Sequence, residues 1–144
     1  MKIAVGNDHA GLPLMKTLKE YLRARGHELV DHGTDSEDSV DYPDYAHEVA
    51  ASVSSGKADL GLLVCGTGIG MSIAANRHPG VRAALCADGY MARMARMHNF
   101  ANVLCMGARV LGPGVAMEIL DVFLHTPFEG GRHERRVEKL EPKP

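Results

Sequence analysis

The chain has 144 residues, 45% of them hydrophobic and 24% charged, which is the size and balance of one globular domain with no room for a separate catalytic module. That composition excludes disordered, collagen-like and fibrous classes. The formal net charge of −2, from 16 basic and 18 acidic residues, lacks the basic excess of a non-specific nucleic-acid binder, so no nucleic-acid partner is expected.

In chain order, Ile3 to Gly6 is a short apolar run that predicts a buried strand. Leu12, Met15, Leu18 and Leu22 then recur at helical spacing, predicting a helix over about Leu12 to Arg25, with Pro13 in its first turn and Gly26 at its stop. His27 to His32 is a second strand candidate, and Gly33 to Asp44 reads as a polar loop ending in Tyr42-Pro43. A helix over about Asp44 to Ser55 buries Val49, Ala50 and Val53, with Gly56 after it. Leu60 to Cys65 is continuously apolar, as a central parallel strand covered on both faces should be. Gly66-Thr67-Gly68-Ile69-Gly70 follows at once, then Met71 to Asn76 as a helical segment. Val81 to Cys86 and Asn102 to Met106 predict two more strands, separated by a helix over about Gly89 to Met97; a last core helix covers about Gly114 to His125. Strands alternating with helices predict a three-layer α/β/α sandwich, a doubly wound, Rossmann-like fold around a five-stranded parallel sheet. Residues 1–144 are expected to form one domain, with a charged tail from about 127, a helical segment that leaves the domain body.

No run of about 18 apolar residues occurs, since Gly61, Gly66, Gly68 and Gly70 interrupt the best candidate, so no membrane span is expected. The first residues enter a strand pattern directly, which predicts no secretory leader and a cytoplasmic location. Cys65, Cys86 and Cys105 are odd in number and lack CxxC spacing, against both a disulfide framework and a structural zinc site.

The glycine-rich turn is the first candidate site, because successive backbone N–H groups entering a helix can hold a phosphate, a carboxylate or a developing oxyanion. It matches neither the P-loop nor the dinucleotide fingerprint, and a tight strand-to-helix connection would need the same small residues. Cys65 ends the central strand beside that turn, at the carboxyl edge where open α/β sheets place ligands, which makes its thiol a candidate base or nucleophile. Cys86 and Cys105 read as buried, inert strand residues. Asp8-His9 follows the first strand to the same edge, where such a pair can move protons. His98-Asn99 is placed in the loop before the last strand, and alone is an ordinary surface pair. Arg132 and Arg136 share a face at i, i+4 and suit a phosphate monoester, although Glu134, Glu138 and Glu141 also make this a balanced, solvated tail.

Taken together, Gly6-Asn7-Asp8-His9-Ala10-Gly11, Asp41-Tyr42-Pro43, the run Cys65 to Asn76, His98-Asn99, Gly107-Ala108-Arg109 and Gly130-Gly131-Arg132-His133 resemble the type B ribose-5-phosphate isomerases, a family that shares its fold with bacterial galactose-6-phosphate isomerase subunits. The resemblance implies a cofactor-free, metal-free interconversion of ribose 5-phosphate and ribulose 5-phosphate through an enediolate, in the pentose phosphate pathway. By similarity Cys65 is the base, and the amides of Gly66, Gly68, Ile69 and Gly70 with the Thr67 hydroxyl stabilise the enediolate oxygen. His98 with Asp8 opens the furanose ring, Tyr42 and Asn99 hold sugar hydroxyls, and His9, Arg132 and Arg136 bind phosphate with help from Arg109. The resemblance also implies a homodimer or dimer of dimers, with His98, Asn99 and Arg109 facing a neighbour's Cys65. Phe100 stands where the family more often carries a polar residue, beside a helix rich in Met and Arg. Isomerisation of a six-carbon sugar phosphate, such as allose 6-phosphate or galactose 6-phosphate, is the alternative chemistry. A non-catalytic sugar-phosphate binder is the alternative class, although binding alone would need no proton-transfer groups.

Overall fold

A computed structural model describes residues 1 to 144. The elements run β1 (Lys2–Asn7), α1 (Leu12–Ala24), β2 (Glu28–Asp31), α2 (Tyr42–Ser54), β3 (Leu60–Cys65), α3 (Ile69–Ala75), β4 (Ala83–Leu85), α4 (Gly89–Asn99), β5 (Val103–Gly107), α5 (Pro113–His125) and α6 (Arg132–Glu138). All five strands pair in parallel in the order β2-β1-β3-β5-β4, the α/β sandwich that the alternation predicts.

Strand pleating sends alternate side chains to opposite faces, and each face has its own core. Ile3, Val5, Leu62, Val64, Leu104 and Met106 meet α1, α4 and α5 through Met15, Leu18, Ala92, Ile119 and Phe123. Ala4, Leu63, Cys65, Val103 and Cys105 meet α2 and α3 through Val49, Ala50, Met71 and Ala75. β3 is buried along its whole length because both layers cover it, and each fully buried Leu contributes about 1.5–3 kcal/mol relative to exposure.

Four local departures from expectation matter for the site. Helix α2 starts at Tyr42 rather than Asp44, because Pro43 sits in the first turn, where a missing N–H leaves no bond unmade. Helix α3 starts at Ile69, two residues before the expected Met71. Helix α4 continues through His98 and Asn99, which are therefore helical and not in a loop; it stops at Phe100, whose φ of 47° is left-handed. That conformation is uncommon for a bulky residue; here the Phe100 ring stacks on Phe128 at 4.6 Å and its carbonyl accepts from Arg82 Nε at 2.7 Å. Finally, the tail does form a helix, α6, but it folds back on α4 instead of leaving the body, with the His133 and His98 rings stacked at 4.2 Å.

Candidate active site

In a parallel sheet every strand delivers its chain to the same edge, so the segments after β1, β3 and β5 meet there because those strands are neighbours. Cys65 is the last residue of β3 and is only 5% exposed. Its Sγ accepts a hydrogen bond from the Gly68 amide at 3.1 Å. Gly68 can aim that amide because it adopts φ +81°; a Cβ there would lie 2.6 Å from Leu85 Cδ1 and 2.9 Å from the Met106 carbonyl carbon. The turn is clamped on both sides. The Ala108 amide donates to the Cys65 carbonyl at 2.8 Å and the Arg109 amide to the Gly66 carbonyl at 3.0 Å, while Gly11 packs so closely on the end of β3 that a Cβ would come 2.1 Å from the Val64 carbonyl oxygen.

The clamped turn leaves the amides of Gly66, Thr67 and Gly70 without a protein acceptor. Thr67 Oγ1 accepts from the Ile69 amide at 3.2 Å, so the hydroxyl hydrogen remains free to donate. The Tyr42 ring lies against Gly70, where a Cβ would meet its Cε2 at 2.5 Å. His9 Nδ1 accepts from the Val40 amide at 3.1 Å, which leaves Nε2 as the ring's unpaired nitrogen. Asp8, 5% exposed, accepts from the Gly11 amide at 2.9 Å. Within the chain the Arg109 guanidinium flanks this turn, since Nη1 would be 3.4 Å from a Cβ on Gly66. By contrast, burial pushes the Cys86 thiol, just past the end of β4 and so outside the expected strand Val81 to Cys86, up to about 12, and raises that of Cys105, within β5, as well, which keeps both protonated.

His98, Asn99, Arg132 and Arg136 lie elsewhere. Helix α4 leaves the carboxyl end of β4 and runs back to the start of β5, where the Asn102 carbonyl accepts from the Gly61 amide at the opposite end of β3 from Cys65. The five residue steps of β3 from Leu60 to Cys65 therefore separate the His98 edge from the Cys65 edge, about 16–17 Å at about 3.3 Å per residue. The Asp8–His98 partnership implied by resemblance does not form within one chain. His98 Nε2 instead lies 3.5 Å from Glu129 Oε2, and His133 Nε2 lies 3.8 Å from Glu129 Oε1. His133 is 4% exposed and its buried Nε2 has no hydrogen-bond partner; burial, then the neighbouring His98, lowers its pKa below the ordinary imidazole range. A cleft of about 250 Å³ opens here, lined by His98, Asn99, His133, Arg136, Val137 and Leu140. Glu129 and His133 had no role assigned from sequence, although their i, i+4 spacing across Gly130-Gly131 was the available signal.

Three comparisons place this geometry among known proteins. The family model described as Ribose/Galactose Isomerase matches residues 3–140. Ribose-5-phosphate isomerase B of Escherichia coli (strain K12) is 48% identical over 139 residues, 96% of this chain and 93% of the relative. D-erythrulose-4-phosphate isomerase of Pectobacterium atrosepticum is 43% identical over 141 residues, 97% of this chain and 93% of that one. Among solved structures, ribose-5-phosphate isomerase B of Clostridium thermocellum superposes with a TM-score of 0.96 at 51% identity, covering 97% of this chain and 95% of its own.

Proposed function

The chain belongs to the ribose/galactose isomerase family, and from that premise we propose that it interconverts D-ribose 5-phosphate and D-ribulose 5-phosphate through an enediolate, as a step of the pentose phosphate pathway. The observation that carries the reading is the Cys65 sulfur held at the carboxyl edge by the Gly68 amide, beside three amides with no acceptor of their own. In the open-chain aldose, the Cys65 thiolate takes the C2 proton, the C–H electrons form the C1–C2 double bond, and the carbonyl oxygen at C1 becomes the oxyanion. The O2 proton passes to O1, and return of the first proton from Cys65 to C1, as the C2–O2 carbonyl forms, gives the ketose. The amides of Gly66, Thr67 and Gly70, with those of Gly68 and Ile69 fixing the turn and the Thr67 hydroxyl donating, stabilise that oxygen; one such preorganised donor is worth about 10²–10³ in rate.

The remaining roles need both edges of the sheet. His98 opens the furanose with Asp8, Tyr42 and Asn99 hold hydroxyls, Arg109 flanks the turn, and His9, Arg132 and Arg136 take the phosphate. A two-fold dimer that sets the amino edge of one chain on the carboxyl edge of the other would bring these groups together twice. Exposed Ile69 and Ile73 beside the turn, and Phe100 and Leu140 beside His98, at 42–62% exposure, suit such an interface better than water.

The test is turnover of ribose 5-phosphate by the purified, chelator-treated protein, alongside Cys65→Ala and four- and six-carbon aldose or ketose phosphates. Five-carbon turnover that is lost in the variant supports the proposal. Faster turnover of another chain length would replace the substrate, and ligand binding without turnover would make the chain a sugar-phosphate binder.

A further inference from the structure

The groups outside the Cys65 cluster include one that converges without a partner. Imidazole and carboxylate atoms of His98, Glu129 and His133 all lie within 4.8 Å of one another. Glu129 offers one oxygen to each ring, Oε2 lying 3.5 Å from His98 Nε2 and Oε1 lying 3.8 Å from His133 Nε2. Ligand atoms placed tetrahedrally at about 2.0–2.1 Å from zinc stand about 3.3–3.4 Å apart, so the set is within about 1.5 Å of a coordinating arrangement before any ion enters. The His133 Nε2 supplies an independent sign: it belongs to a residue 4% exposed, has no hydrogen-bond partner, and sits 3.8 Å from Glu129 Oε1. An orphaned buried nitrogen of this kind is costly unless something occupies it.

We propose that His98, Glu129 and His133 form a binding site for a divalent transition-metal ion of the zinc class, with a water in the fourth position, and that occupancy inhibits the enzyme by capturing His98. Only the inhibition rests on the role given to His98 above; the binding does not. Two imidazoles and one carboxylate are a zinc-type donor set, and calcium or magnesium, which prefer oxygen ligands, should be rejected. The rings are now stacked 9° from parallel, so their lone pairs converge only if one ring turns; His98, with 36% of its side chain exposed, is free to do so, whereas His133 is packed. The charges of Arg132 and Arg136 act on the same histidine and oppose a cation here, which argues for reversible rather than permanent loading.

The proposal is tested with untagged full-length protein, stripped of metal and titrated with ZnCl₂ by calorimetry and with Co²⁺ by visible absorption, in the wild type, Glu129→Gln, His133→Gln and His78→Gln. The last variant disrupts the other close histidine pair, His47–His78 at 2.8 Å, and controls for adventitious binding there. Expected are one Zn²⁺ per chain, a four-coordinate Co²⁺ spectrum without sulfur charge-transfer bands, at least tenfold weaker binding in both the Glu129 and His133 variants, and unchanged binding in His78→Gln. No binding by the wild type, thiolate bands, or undiminished affinity in Glu129→Gln and His133→Gln would overturn it. Binding as expected with turnover of ribose 5-phosphate unaffected would uphold the site, overturn the inhibition, and remove His98 from the reaction.

Discussion

The Gly68 amide donates to Cys65 Sγ at 3.1 Å, so the backbone of the turn and the position of the sulfur are one structural feature. Gly68→Ala should disturb both, because the residue sits at φ +81° with Leu85 and Met106 within 3.0 Å of any added Cβ. A destabilisation of about 1–3 kcal/mol is expected, with kcat falling further than the loss of folded protein explains. Urea denaturation and turnover on the same samples check this; wild-type kcat in a folded variant would detach the turn from catalysis.

Cys65→Ala should leave the fold intact, since a small apolar residue fits the α2/α3 core that already holds Cys65. Turnover should fall by about 10²–10⁴-fold, the usual worth of a positioned proton-transfer group. Affinity for a phosphorylated sugar acid, measured by calorimetry, should change little.

At Tyr42 the ring and the hydroxyl can be separated. The ring packs against Gly70, so Tyr42→Phe should keep stability within about 0.5 kcal/mol while raising KM by about tenfold, the worth of one lost hydrogen bond. Tyr42→Ala should lose stability too, and equal KM values for wild type and Tyr42→Phe would remove the hydroxyl from substrate binding.

Stability should fall on mild acidification. Burial lowers the pKa values of His27, His78 and His133 in the folded chain, so below about 6.5 the unfolded state binds more protons than the native state. The contribution is fully present above that pH and is lost as pH drops through the lower folded values. Urea midpoints at about pH 7.5 and about pH 5.5 should show the decline, with a shallower decline in His133→Gln; a midpoint that rises on acidification would contradict it.

What could be read from the sequence follows from how local each signal is. The apolar run Leu60 to Cys65 and the periodic leucines of α1 define their elements by themselves, and together with alternation they imply the sheet. Cys65 and the turn were legible because the end of a buried parallel strand has only one place to go. The end of α4 was not, since Phe100 takes a left-handed cap that its residue type does not advertise. Placing Arg109 beside Gly66 needs β5 to pair with β3, a neighbour that skips β4 in chain order. The His98–His133 contact was hidden for a similar reason: a charged segment after two glycines reads as tail until α6 is seen to fold back on α4.

The most direct test of the central claim, that one site is built from the Cys65 edge of one chain and the His98 edge of another, is complementation. Cys65→Ala and His98→Asn, each nearly inactive alone, would be unfolded, mixed in equal amounts and refolded together. Random pairing makes half the dimers mixed, and each mixed dimer regains one intact site of two, so about a quarter of wild-type turnover should return. Recovery near that level is the predicted result; a mixture no more active than its components, with mixed dimers confirmed by mass spectrometry, would contradict a site shared between chains.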